Sequence, residues 1–397
     1  MRLYLKAGTR LLLQISLTVA LVGILQCGSE ATSVPGVDLL VSADVAVETQ
    51  SADQPSCPAD PSVSLIPEGC NPLASEWDCL LPYPSDFFLT DDPGMPSGRR
   101  LNVTGAARLA RPDGLFVEPY LVHPADGFSH HPPILALFPG GIDSSNLVFH
   151  TGDVMASMGP DTPTVLMEAD SGERVLHFAE LDPRPKEHAH RALLIRPLVR
   201  LRNGVRYIVA IRGLRDHEGV LIEAPNGFRR IRDGDVACHL DLEPTALRYE
   251  SELWPALQAG GVERSSLQLA WDFTTQTEAS VAGDMLAIRA DLMARFEESP
   301  PVVTIISETE NVDDRVLRHV EGTISVPLYV ESEKLAARLN RNGEGRVVAV
   351  GQTEVPFSLR IPMSLKDFGG TQPARVLIYG HGFFAERDEI SSGWLNE

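Results

Sequence analysis

The chain has 397 residues, 54 of them acidic and 34 basic, and its formal net charge is −20. A surface this acidic argues against nucleic acid as a partner, because nucleic-acid binding depends on clustered Lys and Arg that replace condensed counterions. It would also repel anionic lipid headgroups, so any contact with a membrane should come through an anchor.

The first 26 residues have the pattern of a secretory signal. Three basic residues precede an apolar run, residues 11–25, which is too short for a comfortable membrane span. The run ends at Ile24-Leu25-Gln26-Cys27, which resembles a bacterial lipobox, although Gln26 stands where Gly or Ala is usual. We predict lipid attachment at Cys27 and a place at the outer membrane or cell surface. Plain cleavage, giving a periplasmic or secreted protein, and a retained anchor are the alternatives.

Five cysteines are present, and if Cys27 carries lipid, four remain. An even number in an oxidising compartment predicts disulfides. Cys70 and Cys79 are close enough in sequence for a local loop, which leaves Cys57 to pair with Cys238, but all three pairings stay open. No two of these cysteines have the two-residue spacing of zinc ligands, so no metal site is expected.

The chain then divides into a tether and a folded body. Residues 27–56 contain no Lys or Arg and lack periodicity, which predicts an acidic, flexible tether. The body begins near Cys57 and has about 340 residues, enough for two domains.

A β-rich domain is predicted over residues 57–275. Short apolar runs bounded by Gly, Pro, Asn and Asp predict antiparallel strands at 134–138, 164–167, 193–195, 207–211 and 267–273. Three features of this region resemble a bacterial immunoglobulin-like module. They are the turn Pro124-Ala125-Asp126-Gly127 before the first run, the hairpin ending in Tyr207-Ile208-Val209, and the turn Asp216-His217-Glu218-Gly219. This resemblance implies an Ig-like antiparallel β-sandwich.

Two helices and a second domain follow from the remaining patterns. Apolar residues near helical spacing predict helices at 248–259 and 278–298, the second lying in a connector over 276–300. Over residues 301–397, strands are predicted at 322–330, 355–363 and 375–379. The last is apolar at Val376, Leu377, Ile378 and Tyr379, which is typical of a strand buried on both faces in an α/β domain.

The residues that follow this apolar run carry the strongest chemical signal in the sequence. An apolar strand followed by Gly380-His381-Gly382-Phe383-Phe384 resembles the third strand and oxyanion loop of the α/β-hydrolase fold. The resemblance extends to residues 70–87, which look like the entry segment of secreted bacterial lipases and esterases with an N-terminal β domain. It implies that the Phe383 N–H receives the oxyanion, with Gly382 and Phe384 as neighbours, while His381 orients the loop. The whole fold would be mostly β and then α/β, ending in an incomplete hydrolase sheet.

One departure from that family decides the expected activity. No Gly-x-Ser-x-Gly occurs, and in the family the nucleophile, acid and histidine all lie downstream of the oxyanion loop. We therefore expect a truncated product or an incomplete gene model that is inactive alone. The full-length enzyme would hydrolyse an ester or lipid substrate and need no cofactor. The alternative is a non-catalytic envelope or adhesion lipoprotein with an Ig-like binding module, in which Gly-His-Gly is only a turn.

Other clusters are assigned to structure rather than chemistry. Ser129-His130-His131 would place neighbours on opposite faces of a solvated loop, and Glu187-His188-Ala189-His190 is expected to be a surface charge cluster rather than a metal pair. Asp91-Asp92 and Asp313-Asp314 lack calcium-loop spacing and are expected to cap helices or turns. Trp271 is expected in the sandwich core rather than on a carbohydrate platform.

Overall fold

Antiparallel strands dominate the computed structural model, which describes residues 66–237, 239–368, 374–382 and 385–392. The strands are β1 (Leu89–Asp91), β2 (Arg99–Leu101), β3 (Ile134–Ala136), β4 (Thr164–Glu168), β5 (His177–Leu181), β6 (Leu193–Pro197), β7 (Arg206–Arg212), β8 (Leu267–Thr274), β9 (Val303–Glu310), β10 (Val316–Leu328) and β11 (Gly351–Pro362). They form three three-stranded sheets, β3-β6-β5, β4-β7-β8 and β11-β10-β9, and the ribbon β1-β2 among the described residues. The β-rich class predicted from the sequence is confirmed.

Helices are few and mostly short in the described part of the chain. The α-helices are α1 (Pro119–Val122), α2 (Asn226–Asp233), α3 (Glu243–Arg248), α4 (Trp254–Ala259) and α5 (Glu278–Glu298). A π-helical segment, Tyr249–Leu253, joins α3 to α4, so the helix predicted at 248–259 begins earlier and is interrupted. The 3₁₀ segments are Asp86–Phe88, Gly105–Ala107, Ser144–Asn146, Val154–Met158, His188–His190, Arg264–Ser266, Met363–Phe368 and Arg387–Ser391. Within these ranges, no helix combines the length and apolar character that crossing a membrane requires.

The core lies around the two sheets that contain β3 to β8. Every residue of β4 is buried, and so are seven of the eight residues of β8. Trp271 on β8 is fully buried, as predicted, and its indole N–H donates to the Pro84 carbonyl at 2.7 Å. All five strands predicted in this region are present, because each apolar run is bounded by turn residues that stop it at the right place.

The C-terminal sheet differs from the expectation in two places. The predicted strands at 322–330 and 355–363 are confirmed as parts of β10 and β11, which pair antiparallel. The strand predicted at 375–379 is wrong: Val376, Leu377 and Ile378 are 78–92% exposed and belong to no strand. None of the described strands pairs with residues 376–378, and an apolar run needs a partner strand to become part of a sheet. The partner of β10 on its other side is instead β9, which the sequence analysis missed.

Helix α5 has the predicted bounds but no buried residue. Polar contacts link it to the segment between β10 and β11. Tyr329 donates to the Asp291 carboxylate at 2.7 Å, and Arg341 pairs with Asp284. Its amphipathic pattern therefore predicted a helix correctly, whereas its exposed apolar residues do not enter the core.

Candidate functional site

The described part of the predicted oxyanion loop is exposed. Gly380, His381 and Gly382 all lie at the surface, while Phe383 and Phe384 lie outside the described residues. The Gly382 N–H donates to the carboxylate Oε2 of Glu389 at 2.7 Å. The loop therefore presents a backbone donor to a negatively charged oxygen, which is the kind of group an oxyanion loop must bind.

The carboxylate that occupies this position is held from two sides. Glu389 belongs to the 3₁₀ segment Arg387–Ser391, and the Tyr379 hydroxyl also hydrogen-bonds it. Loss of hydration and then the charge of Glu389 raise the pKa of Tyr379, so this hydroxyl stays protonated and donates. The Nδ1 atom of His381 lies 2.9 Å from the Gly382 carbonyl, within the loop.

Two hydroxyl–imidazole pairs occur, but neither forms a catalytic triad within the described ranges. His177 Nε2 lies 3.0 Å from Thr164 Oγ in the core, and His177 Nδ1 lies 2.7 Å from the Val175 carbonyl. His319 Nε2 lies 2.8 Å from Ser358 Oγ, across β10 and β11. No carboxylate among the described residues hydrogen-bonds either imidazole, so the orienting group of a Ser-His-Asp arrangement is missing from both.

A charged cavity of about 510 Å³ was missed by the sequence analysis. Its walls include three guanidinium groups and several carboxylates. Arg248 binds the buried Asp272 through two hydrogen bonds of 2.6 and 2.8 Å, and Arg206 reaches the same carboxylate at 3.5 Å. Arg99 pairs with Asp86 at 3.3 Å. The one sequence signal for this charged cluster was Asp272, a charged residue inside an otherwise mostly apolar strand.

The buried Asp86 joins the entry segment to the core. Its two carboxylate oxygens accept the N–H and the hydroxyl of Thr274 on β8, both at 2.7 Å. Burial and then the neighbouring Asp272 charge raise the pKa of Asp86. Because the three guanidinium groups at this cavity each already pair with a carboxylate, we assign the cluster a structural role in fixing residues 81–88.

The Ser129-His130-His131 segment has the predicted alternation but not the predicted solvation. Ser129 and His131 are exposed, whereas His130 is buried, with its Nε2 3.0 Å from the Gln276 carbonyl. The solvated-loop prediction is therefore wrong for His130. Phe128, just before this segment, forms a parallel bridge with Thr275 just after the end of β8, which brings His130 next to the Gln276 carbonyl.

The predicted turn caps are confirmed for Asp92 and Asp313, whereas Asp91 is the last residue of β1. The Asp92 carboxylate accepts the Gly94 N–H at 2.9 Å, and the Asp313 carboxylate accepts the N–H groups of Arg315 and Val316 at 2.8 and 2.7 Å. These are local interactions of the kind that Asp makes in turns.

The histidines at 188 and 190 are not extended. They lie in a 3₁₀ segment, which places them on different sides, and His190 pairs with Glu187 at 3.6 Å. His188 instead contacts a histidine from another turn, His217, with 2.9 Å between His188 Nδ1 and His217 Nε2.

Of the predicted disulfides, one falls within the described residues. Cys70 and Cys79 form the local disulfide that the sequence suggested. The Asn71 N–H donates to the Cys79 carbonyl at 2.9 Å, so the loop is also closed by a backbone bond. Cys27, Cys57 and Cys238 lie outside the described residues, so lipidation and the second disulfide stay predictions.

Comparisons with known protein families, with curated proteins and with solved structures found no match to this chain. The chain is therefore defined by its own features: a β-rich body and an exposed glycine loop that holds a carboxylate. The hydrolase and Ig-like resemblances stay predictions.

Proposed function

We propose that this chain is an exported cell-envelope lipoprotein of the serine ester hydrolase type that carries only the oxyanion-loop part of the active site. It does not hydrolyse esters by itself. The observation that carries the proposal is the 2.7 Å hydrogen bond from the Gly382 N–H to the Glu389 carboxylate.

The chemical argument rests on what this donor can bind. In ester hydrolysis, a serine hydroxyl attacks the carbonyl carbon, a histidine takes the hydroxyl proton, and the carbonyl electrons move to the oxygen, which becomes an oxyanion. Backbone N–H groups about 2.7–3.1 Å from that oxygen stabilise it. The Gly382 amide already binds an anionic oxygen at such a distance, and a glycine loop allows a substrate to approach closely.

The exposed apolar surface next to the loop supports the same proposal. Val376, Leu377 and Ile378 are 78–92% exposed and lead directly to Gly380. Contiguous apolar side chains of this kind mark surfaces that another segment covers. In the proposed enzyme, the rest of the hydrolase sheet would cover them and bring the nucleophile to the loop.

The Ig-like part of the proposal has support in the body of the chain. The Tyr207 hydroxyl, near the start of β7, accepts the Arg202 N–H at 2.9 Å. A tyrosine hydroxyl that bonds the backbone a few residues upstream is a feature of immunoglobulin-like sandwiches. We propose that residues 57–275 are a module of that type.

The decisive experiment begins with the reading frame after codon 397. We expect an open frame, or one restored by a single-base correction, that encodes Gly-x-Ser-x-Gly within about 100 residues, as the hydrolase chain order requires. A stop codon followed by unrelated sequence would overturn the hydrolase proposal. It would leave the non-catalytic envelope protein with an Ig-like binding module.

Activity then tests the loop. The 397-residue chain should give no turnover of a short-chain nitrophenyl ester above buffer, while the extended chain should hydrolyse it. In the extended chain, Gly382→Pro and Phe383→Pro each remove one loop N–H and should lower kcat about 10²–10³-fold. Gly343→Pro, in an exposed turn between β10 and β11, is the matched control and should leave kcat unchanged. Unchanged kcat in both loop variants would contradict the assigned role.

A further inference from the structure

Two histidines from separate parts of the chain face each other on the surface. His188 comes from the 3₁₀ segment between β5 and β6, and His217 from the turn that follows β7. Their imidazole rings are inclined at 72° with 4.4 Å between centroids, and His188 Nδ1 lies 2.9 Å from His217 Nε2. Both side chains are exposed, so a solute can reach the pair.

The backbone around the pair is ordered by its own hydrogen bonds. The Asp216 carboxylate accepts the N–H groups of Glu218 and Val220, both at 2.9 Å, which fixes the turn that carries His217. On the other side of the pair, Gly141 has a φ of +79° and packs closely against His188: a Cβ atom at position 141 would lie only 3.2 Å from the His188 Cβ. The pair is therefore held between two defined turns.

We propose that His188 Nδ1 and His217 Nε2 are two adjacent ligands of a divalent transition-metal ion, with Cu²⁺ preferred and Ni²⁺ next. The distance between the nitrogens selects the geometry. Two nitrogens about 2.0–2.1 Å from one ion are about 2.9 Å apart at a right angle and about 3.4 Å apart at a tetrahedral angle. The observed 2.9 Å fits a right angle, which is found in the tetragonal sites of Cu²⁺ and Ni²⁺.

Binding requires only a change of tautomer and small ring rotations. In the hydrogen-bonded pair, one of the two facing nitrogens carries a proton. On metal binding that proton moves to the outer nitrogen of the same ring, so that both facing lone pairs are free. Rotation about the outer torsion of a histidine is soft, and it turns both lone pairs toward one ion.

The electrostatic surroundings favour a cation. The carboxylate of Asp143 lies close enough to His217 for the two to interact electrostatically. The whole chain adds a formal charge of −20. Within the described ranges no third His, Cys, Asp or Glu joins the pair in metal-binding geometry, so water supplies the remaining ligands. We therefore expect micromolar affinity and an ion that exchanges.

The test is calorimetric titration of the whole chain, produced without an affinity tag, with Ni²⁺ and with Cu²⁺. We expect binding of one ion by this pair, tighter for Cu²⁺ as the Irving–Williams order requires. His188→Gln and His217→Gln should each weaken binding at least tenfold. His190→Gln is the matched control, since it removes an exposed imidazole from the same 3₁₀ segment, and it should leave binding unchanged.

Electron paramagnetic resonance of the Cu²⁺-loaded chain gives an independent readout. We expect hyperfine coupling to two imidazole nitrogens in the parent chain and in His190→Gln, and loss of one in each pair variant. Circular dichroism should show the same melting for all variants, because the substituted side chains are exposed. Two results would overturn the proposal. One is absence of binding at about 100 μM metal, a concentration far above the micromolar dissociation constant expected here. The other is binding that survives in both pair variants.

Discussion

The guanidinium of Arg248 binds the carboxylate of Asp272 through two hydrogen bonds, of 2.6 and 2.8 Å. The Asp272 side chain is 1% exposed and lies in the middle of a strand that is otherwise mostly apolar. A charge in that position requires a partner, because an isolated buried carboxylate is strongly destabilising. The ion pair thus explains how an acidic residue is accommodated in β8.

Removal of the guanidinium should therefore reduce stability. We expect Arg248→Met to lower the free energy of unfolding by about 2–4 kcal/mol, somewhat below the cost of breaking a fully buried pair, because Arg206 keeps a longer contact with Asp272. Urea unfolding measures the change. Arg184→Met is the control, since Arg184 pairs with Asp182 at the surface, and it should leave the urea midpoint nearly unchanged. Equal midpoint shifts in both variants would contradict this account.

A second prediction concerns the start of α5. Thr277 caps the helix by accepting the Ser280 N–H, and its own hydroxyl donates to the buried Asp126 carboxylate at 2.6 Å. Thr277→Val removes both bonds and should cost about 1–2 kcal/mol, the range of a lost helix cap. Amide hydrogen exchange at Ser280 should accelerate. Thr277→Ser keeps the hydroxyl and should exchange as the parent does, whereas parent-like exchange in the valine variant would rule out the cap.

These two interactions show where sequence reasoning succeeds and where it stops. Local relations were predictable: turn residues bounded the strands, and Asp92 and Asp313 cap their turns within four residues. The apolar run around Trp271 indicated burial, because a strand of this composition has to be covered. Asp126 was identified in its turn, but its bond to Thr277 spans 151 residues and depends on the completed fold.

The wrong and missed predictions also concern features that depend on the completed fold. The run at 376–379 predicted a buried strand, but burial depends on a neighbouring strand, and no described residue provides one. Strand β9 is exposed along its whole length, so its sequence lacks the alternation that marks a half-buried strand. The Gly380 loop was located by its glycines, whereas the anion that it binds, Glu389, could be found only from the structure.

The disulfide gives a third prediction. Cys70 and Cys79 are nine residues apart, and cross-linking a loop of this size limits the unfolded chain. In the chain-entropy description, replacing both cysteines with serine should cost about 2–3 kcal/mol. Urea unfolding of the oxidised parent and of the double variant measures the difference. Reduction of the parent with dithiothreitol should bring it toward the variant, and identical midpoints for all three would contradict a stabilising disulfide.

Lipid attachment gives a fourth prediction. If the cysteine after the signal is acylated, cells that express the chain should incorporate radiolabelled palmitate into it, and the chain should fractionate with membranes. Cys27→Ser removes the acceptor thiol and should abolish both. Cys57→Ser is the matched control and should keep the label. Unlabelled parent protein in the soluble fraction would favour plain cleavage, because a lipid chain is what would retain so acidic a protein at a membrane.

The buried His177 should make stability depend on pH. Its side chain is fully buried, and burial lowers its pKa below the usual 6.5. Hydrogen bonds to the Val175 and Thr164 carbonyls partly oppose this shift, and the charge of Arg174 adds to it. Because the unfolded chain binds a proton at higher pH than the folded chain, His177 contributes full stability above about pH 6.5 and loses it as the pH falls toward the folded pKa.

The measurement compares the parent with His177→Gln, which removes this titration while keeping a polar side chain. The difference in unfolding free energy between the two should be constant from pH 8 to about 7. Below pH 6.5 it should move against the parent, with a slope of at most about 1.4 kcal/mol per pH unit for one proton. The other buried imidazole, His130, titrates in both proteins and cancels. A difference that stays flat down to pH 5 would show that the core accepts the charged imidazole.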